Sequence, residues 1–119
     1  MYAYEIPNLR FSLPAGGAVV RHRFVSVSSE KAIQATATTP VIGASMNEVT
    51  AAENTAGERI VEIADGIVMV EASGAITSGV AVYADASGKA TATADKGDAA
   101  GIAITAATAA GDLIAVKMF

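Results

Sequence analysis

The stretch from Gly74 to Val116 constrains the fold most, because it is regular and contains no cluster of catalytic or metal-binding residues. Short runs of small and β-branched residues alternate there with turns rich in Gly, Asp and Ser, a pattern typical of strands joined by tight turns. Residues 85–88 read Asp-Ala-Ser-Gly. The Asp and Ser side chains can bond their own backbone there, and Gly tolerates a positive φ. The stretch therefore predicts several short strands whose role is structural.

Alanine is the most frequent residue, and the way it is distributed supports the prediction of strands. The 119 residues, enough for one domain, are 52% hydrophobic but only 5% aromatic, and 27 of them are Ala. Ala favours helices, but here it alternates with Thr, Val and Ile and is interrupted by eleven Gly. We therefore predict an all-β fold, either a small β-sandwich or a partly open β-barrel, with at most one short helix near residues 46–54. Because small side chains make a thin core, we expect oligomerisation to add stability.

Two local motifs in the middle of the chain give specific predictions. Ser45 and Glu48 have the spacing of a capping box, which predicts a short helix over about residues 46–54 that is closed by Gly57. Asp65-Gly66 stands between two apolar runs, 58–63 and 66–71, which predicts a hairpin turn. Turns are also expected at other glycines, so the predicted structural turns include Gly16, Gly17, Gly57, Gly66, Gly79, Gly88 and Gly111.

The N-terminal segment is predicted to be extended. Spaced apolar residues and two prolines divide the chain into residues 1–13, an extended arm or edge segment, and residues 14–119, a single β domain. Two interpretations stay open, because an extended terminus can dock on a neighbour or pair with its own sheet. The residues expected to contact a larger partner or another subunit are Tyr2, Tyr4, Leu9, Phe11, Arg21 and Arg23.

Charge is unevenly distributed along the chain. Residues 1–31 carry four bases and two acids, whereas residues 32–119 carry four bases and ten acids, which sums to the net charge of −4. This polarity either directs the basic third toward an acidic partner or reflects chance and solvation. Four dispersed cations make a poor phosphate-binding surface, so no nucleic-acid partner is expected.

Several classes of chemistry are disfavoured by the residue types available. The chain has no Cys and a single His, so neither a thiolate nucleophile nor a Cys- or His-based metal site is expected. Ser87-Gly88-Lys89-Ala90 lacks the first glycine and the hydroxyl residue of a P-loop. His22, between two arginines, has no carboxylate within four residues to orient it. We therefore predict no enzymatic activity, no catalytic residue, no cofactor and no metal.

The sequence carries no signal for export or membrane insertion. Its first ten residues lack a basic region followed by an apolar run. No apolar run approaches the roughly 18–20 residues that a membrane-spanning helix needs. We therefore expect a soluble protein, made in the cytoplasm, with no membrane partner.

Two parts of the sequence resemble each other. Ile42-Gly43-Ala44 is followed by Ala56-Gly57-Glu58 and then by Ile60–Ile63. Gly101-Ile102-Ala103 is followed by Ala110-Gly111-Asp112 and then by Leu113–Val116. Each unit predicts a short strand, an Ala-rich excursion, a Gly turn and an apolar strand. Two such units are too few for a solenoid but can form related halves of a barrel or sandwich.

The order of these turns resembles one known family. The relevant runs are Pro14–Gly17, Ile42-Gly43, Ala56–Glu58, Gly74–Gly79, Val82-Tyr83, Ala84–Thr91, Gly101–Ala103 and Ala110–Asp112. In this order they are similar to the small capsid cement, or decoration, proteins of tailed bacteriophages, a family long listed as a domain of unknown function. The resemblance covers most of residues 12–117. Members often have Asp where this chain has Val80.

The resemblance implies a function without catalysis. It implies a small, mainly β virion protein, made in the host cytoplasm, that binds the outer surface of the mature capsid and reinforces the shell. Its implied partners are the major capsid protein and two further copies of itself in a homotrimer. A ligand- or glycan-binding β-module remains the alternative, although such a module needs exposed aromatics, and only three Phe and three Tyr are present.

Overall fold

The fold is mainly β, as predicted, and takes the form of a curled antiparallel half-barrel with one short helix among the described residues. The computed structural model describes residues 6–94 and 97–119, with side chains from residue 9 onward. The elements are β1 (Ile6–Pro14), β2 (Phe24–Ser28), β3 (Lys31–Gln34), β4 (Gly43–Ser45), α1 (Ala51–Ala56), β5 (Ile60–Glu71), β6 (Ala81–Ala84), β7 (Ala90–Thr91), β8 (Gly101–Ala103) and β9 (Leu113–Met118).

Strand β5 is the long central strand of the sheet. Its first half pairs with β1 and β4, and its second half pairs with β9. From β4 the sheet continues through β2 to β3, and from β9 it continues through β8 and β6 to β7. From residue 6 onward, the N-terminal segment is therefore a strand of the chain's own sheet. Tyr2 and Tyr4 lie outside the described residues.

Two apolar cores lie along β5. The N-terminal core includes Val61 and Ile63, together with residues such as Val19 and Val25. The C-terminal core includes Val68 and Val70 of β5, and Phe24 is its largest fully buried side chain. The core residues named on β5 are odd-numbered in its first half and even-numbered in its second half. Because neighbouring side chains of a strand point to opposite faces, the two cores cover opposite faces of β5.

The two similar sequence units have the same local structure. In the first, β4 pairs with β5, and in the second, β8 pairs with β9. Each short strand begins with a glycine, Gly43 or Gly101, beside a carbonyl group of its partner strand. The excursion of the first unit contains α1, and that of the second is the loop between β8 and β9.

The predicted hairpin across Asp65-Gly66 is wrong. Both residues lie inside the continuous strand β5, where Gly66 has φ 112° and its N–H donates to Asp65 Oδ1 at 2.8 Å. The two apolar runs find other partners: Ile63 pairs with Phe11, and Ile67 pairs with Lys117. Gly66 is therefore a distortion within a strand, next to the point where the β1–β5 register shifts.

The predicted capping box is also wrong in position, although the short helix exists. Thr50 caps α1, accepting from the Glu53 N–H at 3.1 Å, while Glu53 Oε1 accepts from the Thr50 N–H at 2.9 Å. Hydrogen bonds to the Glu53 carboxylate from the Thr50 backbone N–H first, and then from the Thr50 side chain, hold the pKa of Glu53 below its ordinary value. Ser45 instead ends strand β4, and its hydroxyl donates to Val20 O. A hydroxyl residue stands three positions before Glu at Ser45, Thr50 and Thr55. Pairing of β4 with β2 and β5 holds Ser45 in a strand, and Thr50 is the residue that caps the helix.

The remaining predicted turn glycines occupy several environments. Gly16 and Gly17 form a bend after Ala15, and Gly57 is the C-cap of α1. The glycines with positive φ in turns are Gly79 (87°), Gly88 (77°) and Gly111 (93°).

The loop before β9 is held by a carboxylate and should make stability depend on pH. Asp112 Oδ2 accepts from the Thr108 N–H at 2.9 Å, the Thr108 hydroxyl at 3.0 Å and the Ala109 N–H at 3.2 Å. These bonds, those from Thr108 first, lower the pKa of Asp112 from its ordinary value of 3.8. A lowered folded-state pKa stabilises the fold above the unfolded-state pKa, and this stabilisation is lost as pH falls through the folded-state value.

We therefore expect Asp112→Asn to lower the free energy of unfolding at neutral pH and to flatten its decline below about pH 3.8. Urea denaturation at a series of pH values measures both effects. Asp98→Asn, at an exposed acid with no bond to this loop, is the control. An Asp112→Asn profile parallel to the wild-type profile would show that the loop bonds do not link stability to pH.

Candidate interaction surfaces

An ion cluster at the end of β5 joins three parts of the chain. Arg23 Nε and Nη2 each lie 3.3 Å from Glu71 Oε1, and Arg23 Nη1 donates to Ser87 O at 3.1 Å. Lys89 Nζ lies 3.3 Å from Glu71 Oε2. The cluster thereby ties the start of β2 and the turn between β6 and β7 to the end of β5. Its side chains are only 14–28% exposed, so solvent screens these pairs less than it would fully exposed ones.

The structure separates the residues predicted to make contacts. Arg23 is engaged in the ion cluster, whereas Arg21, two residues earlier, is exposed. On β1, Leu9 is 55% exposed, but Phe11 is half-buried and packs against the N-terminal core. Among the described members of the predicted set, Leu9 and Arg21 therefore offer the most accessible side chains.

A larger apolar surface lies on the sheet face opposite the C-terminal core. On β5, Val68 and Val70 point into that core, so alternation places Ile67 and Met69 on the other face. Residues directly opposite one another on paired strands share a face, and the pairing of β5, β9 and β8 extends this surface sideways. We call it the apolar patch, and it consists of Ile67, Met69, Ile102, Ile104 and Leu113, with the buried Ala115 between them.

The exposure of the patch varies across its width. Ile104 is 46% and Leu113 is 38% exposed, while Ile67, Met69 and Ile102 are half-buried. None of these five residues is packed in either core cluster. Neighbouring exposed apolar side chains on one sheet face are typical of an interaction site.

Two unbroken apolar runs in the sequence are the local signal of the apolar patch. Residues 67–70 read Ile-Val-Met-Val and residues 113–116 read Leu-Ile-Ala-Val. A strand with one solvated face alternates polar and apolar residues, whereas an unbroken apolar run indicates a strand covered on both faces. One face of these strands is covered by the C-terminal core, and the other is the patch.

Acidic side chains surround a second exposed apolar residue at the other end of β5. Ile60 is 57% exposed, and Glu48, Glu58 and Glu62 near it are all exposed. The Asn47 amide donates to Ile60 O at 2.9 Å, and Asn47 Oδ1 accepts from the Glu62 N–H at 2.8 Å, which brings the Glu48 segment against the strand. We call Glu48, Glu58, Ile60 and Glu62 the acidic surface.

The grooves lined by the described residues contain few titratable side chains. Within residues 6–94 and 97–119, no three His, Cys, Asp or Glu residues are grouped closely enough to hold a metal ion. One groove of about 290 Å³ lies beside Thr39, Val41, Asp98 and Phe119, and Asp98 carries the one acidic or basic side chain among the described residues that line it. No helix in the described part of the chain is long and apolar enough to span a bilayer.

The curled half-barrel and its exposed apolar and acidic surfaces define a class of small, mainly β protein. Within that class, the chain belongs to the phage cement protein family, whose model matches residues 5–118. Its fold is similar to that of the head fiber gp8.5 N base of bacteriophage phi29, with a TM-score of 0.71 and 18% sequence identity. That match covers 93% of this chain and 95% of the phi29 chain. A search of curated proteins found no match.

The resemblance noted in the sequence is thus confirmed, and the protein is associated with the phage capsid as a structural component.

Proposed function

We propose that the protein binds the outer surface of the mature capsid as an oligomer, with the major capsid protein as its partner, and stabilises the shell. The observation that carries this proposal is membership of the cement family over nearly the whole chain. Membership of a family of structural phage proteins supports a role without catalysis, and we propose that the protein uses no cofactor or metal. We further propose synthesis in the host cytoplasm and no contact with nucleic acid or membrane.

The mechanism we propose is thermodynamic linkage. A protein that binds the expanded shell more tightly than the unexpanded or broken shell shifts the equilibrium toward the expanded form. The stabilisation grows with the logarithm of the ratio of free protein concentration to its dissociation constant. An oligomer that contacts several capsid subunits also gains effective concentration for each contact after the first.

We propose that the N-terminal segment, residues 1–13, and Arg21 contribute the capsid contact. Leu9 supplies exposed apolar area, and Arg21 supplies an exposed positive charge. Arg23 is a poor probe of this contact, because reversing its charge would place a carboxylate against Glu71 within the ion cluster. Its predicted role in the contact stays a proposal, and Arg21 is the arginine that the experiment changes.

The test is co-sedimentation with purified capsids, expanded and unexpanded, from which the endogenous protein has been stripped. We expect saturable binding to expanded shells and a raised melting temperature of those shells. Leu9→Asp and Arg21→Glu should each weaken binding by about tenfold, and added salt should reduce the Arg21 effect. Val27→Asp, at a residue 47% exposed on β2, is the matched control for Leu9→Asp.

Each result has a distinct meaning. Absence of wild-type binding to either shell would refute the cement function and favour the ligand-binding alternative, which a thermal-shift screen against sugars then examines. Wild-type binding that both variants leave intact would refute the proposed contact residues alone.

A further inference from the structure

We propose that the whole chain is a tandem repeat of one β unit and that β5 is two strands joined end to end at Asp65-Gly66. The first repeat, residues 6–65, contains β1 to β4, α1 and the first half of β5. The second repeat, the described residues of 66–118, contains the second half of β5 with β6 to β9. The repeats are a property of the chain alone, so they do not depend on the proposed capsid function.

The order of paired strands is the same in both repeats. In the first, β3 pairs with β2, β2 with β4, β4 with the first half of β5, and that half with β1. In the second, β7 pairs with β6, β6 with β8, β8 with β9, and β9 with the second half of β5. All of these pairs are antiparallel. Strand β5 therefore ends one repeat and begins the next.

Backbone hydrogen bonds outside the strands occur twice as well. Val19 and Val49 exchange two such bonds, of 2.8 and 2.9 Å, and Ile76 and Ala107 exchange two of 2.9 and 3.0 Å. The other matching bonds, each from N–H to O, are Ala15 to Arg59 and Ala72 to Asp112, Gly16 to Ala32 and Ser73 to Ala90, Ile42 to Val25 and Ala100 to Val82, Ser45 to Arg23 and Ala103 to Val80, and Met46 to Glu62 and Ile104 to Ala115. So many matches in the same order along the chain indicate one backbone path that is used twice.

The amino-acid sequence matches at the positions that these bonds align. Ala15-Gly16-Gly17-Ala18-Val19 corresponds to Ala72-Ser73-Gly74-Ala75-Ile76, and Thr50-Ala51-Ala52 corresponds to Thr108-Ala109-Ala110. After the second match, the first repeat continues through α1, whereas the second turns at Gly111. Helix α1 is therefore the main difference between two copies of one unit.

The shared backbone path also accounts for the left-handed conformation of His22. Its φ is 61°, and that of Gly79, the matching residue, is 87°. The His22 N–H donates to Ser45 O at 3.0 Å, and the Gly79 N–H donates to Ala103 O at 2.7 Å. Glycine takes a positive φ without steric cost, whereas a histidine does not. The turn in the first repeat thus keeps a conformation that its own residue does not favour.

The bonds around Asp65 and Gly66 are those expected where two strands meet. Strand β1 follows one edge of β5 across this point. On the other edge, β4 pairs up to Ala64 and β9 pairs from Ile67 onward, so neither Asp65 nor Gly66 pairs with a described strand there. On the β1 edge the register shifts, and Gly66 lies opposite Pro7, which has no N–H to donate. The junction therefore has fewer cross-strand bonds than the rest of β5.

Insertion of a single glycine at three points along β5 tests the junction. A one-residue shift inside a strand moves the side chains that follow to the opposite face. Between Asp65 and Gly66, each repeat should keep its own register, because β4 and β9 pair on different sides of the insertion. The matched controls are the same insertion after Glu62, inside the first repeat, and after Val68, inside the second.

We expect the junction variant to keep the circular dichroism spectrum and the cooperative urea transition of the wild type, with a midpoint lowered by less than about 1 M. Both controls should lose the cooperative transition or have a midpoint lowered by more than about 2 M. Equal destabilisation at all three points would show that β5 is one strand, and it would overturn the proposal.

A cleavable insertion is the second test. A protease recognition site between Asp65 and Gly66, once cut, should leave two fragments that elute together with the β spectrum intact. Contacts between the repeats hold them, because the Phe24 N–H donates to Gly88 O at 2.8 Å and Phe24 is buried in the C-terminal core. The same site after Val68 is the control, and cutting there should unfold the protein. Fragments that separate after cutting at the junction, or a complex that survives both cuts equally, would refute the junction.

Discussion

Replacement of Phe24 by alanine is expected to lower the free energy of unfolding by about 3–5 kcal/mol. Phe24 is fully buried and is the largest such side chain, and most of its neighbours in the C-terminal core are Ala or Val. Small neighbours cannot move far enough to fill the space that a phenyl ring leaves, so a cavity should remain. Since domains of this size are usually stable by only about 5–15 kcal/mol, the loss is a large part of the total.

Urea denaturation at one fixed protein concentration measures the Phe24→Ala effect, because assembly would otherwise contribute to stability. Phe119→Ala is the matched control, since Phe119 is 74% exposed and its removal should change stability by less than about 0.5 kcal/mol. Phe24→Leu should lie between the two. A loss of less than about 1 kcal/mol for Phe24→Ala would show that the core collapses to fill the space.

Replacement of Gly43 or Gly101 by alanine is the second large expected effect, a loss of about 1–3 kcal/mol each. A Cβ atom at Gly43 would lie 2.5 Å from Ala64 O and 2.7 Å from Ile63 Cγ2. A Cβ atom at Gly101 would clash with Lys117 O and lie 2.9 Å from Val116 Cγ1. In both cases the obstacle includes the backbone of a paired strand, so relief requires the strands to separate.

The matched controls are Gly17→Ala and Gly74→Ala. A Cβ atom at either position would meet no atom within 4 Å. Alanine there restricts the unfolded chain and should stabilise the protein by about 0.4–1 kcal/mol. Thermal and urea denaturation of all four variants should therefore give opposite signs for the two pairs. Equal effects at all four positions would show that close strand approach is not what requires glycine at Gly43 and Gly101.

Gly43 and Gly101 show why the role of a glycine is hard to predict from sequence. Gly79, Gly88 and Gly111 stand among Asp, Ser and other turn residues, and this local chemistry indicated their turns. Gly43 and Gly101 stand next to apolar residues, where nothing local indicates the carbonyl group of a distant strand. Only the similarity between the two sequence units placed them in equivalent positions.

The incorrect hairpin prediction has the same origin. An Asp-Gly pair between apolar runs favours a two-residue turn when the runs pair with each other. Here β1 pairs with β5 up to Ile67, and β9 pairs with the remainder. These pairings from outside the local segment hold Asp65 and Gly66 within one continuous strand, and they show that tertiary contacts override local turn preference.

The interaction surfaces were only partly predictable. Exposed Leu9 and Arg21 were among the expected contact residues, but the ion cluster that engages Arg23 joins residues up to 66 positions apart in the chain. The apolar run at residues 67–70 indicated two covered faces of a strand. It did not indicate which residues of β8 and β9 complete the patch, because strand order determines that.

The sequence by itself determined the mainly β class of fold, the positive-φ turns at Gly79, Gly88 and Gly111, and membership of the cement family. These features depend on residues close together in the chain, or on their order, and both can be read directly. The tertiary structure decided which face of β5 each core covers, where glycine is required for close approach, and which residues complete the apolar patch. These features depend on strand register, in which a shift by one residue moves every side chain to the opposite face.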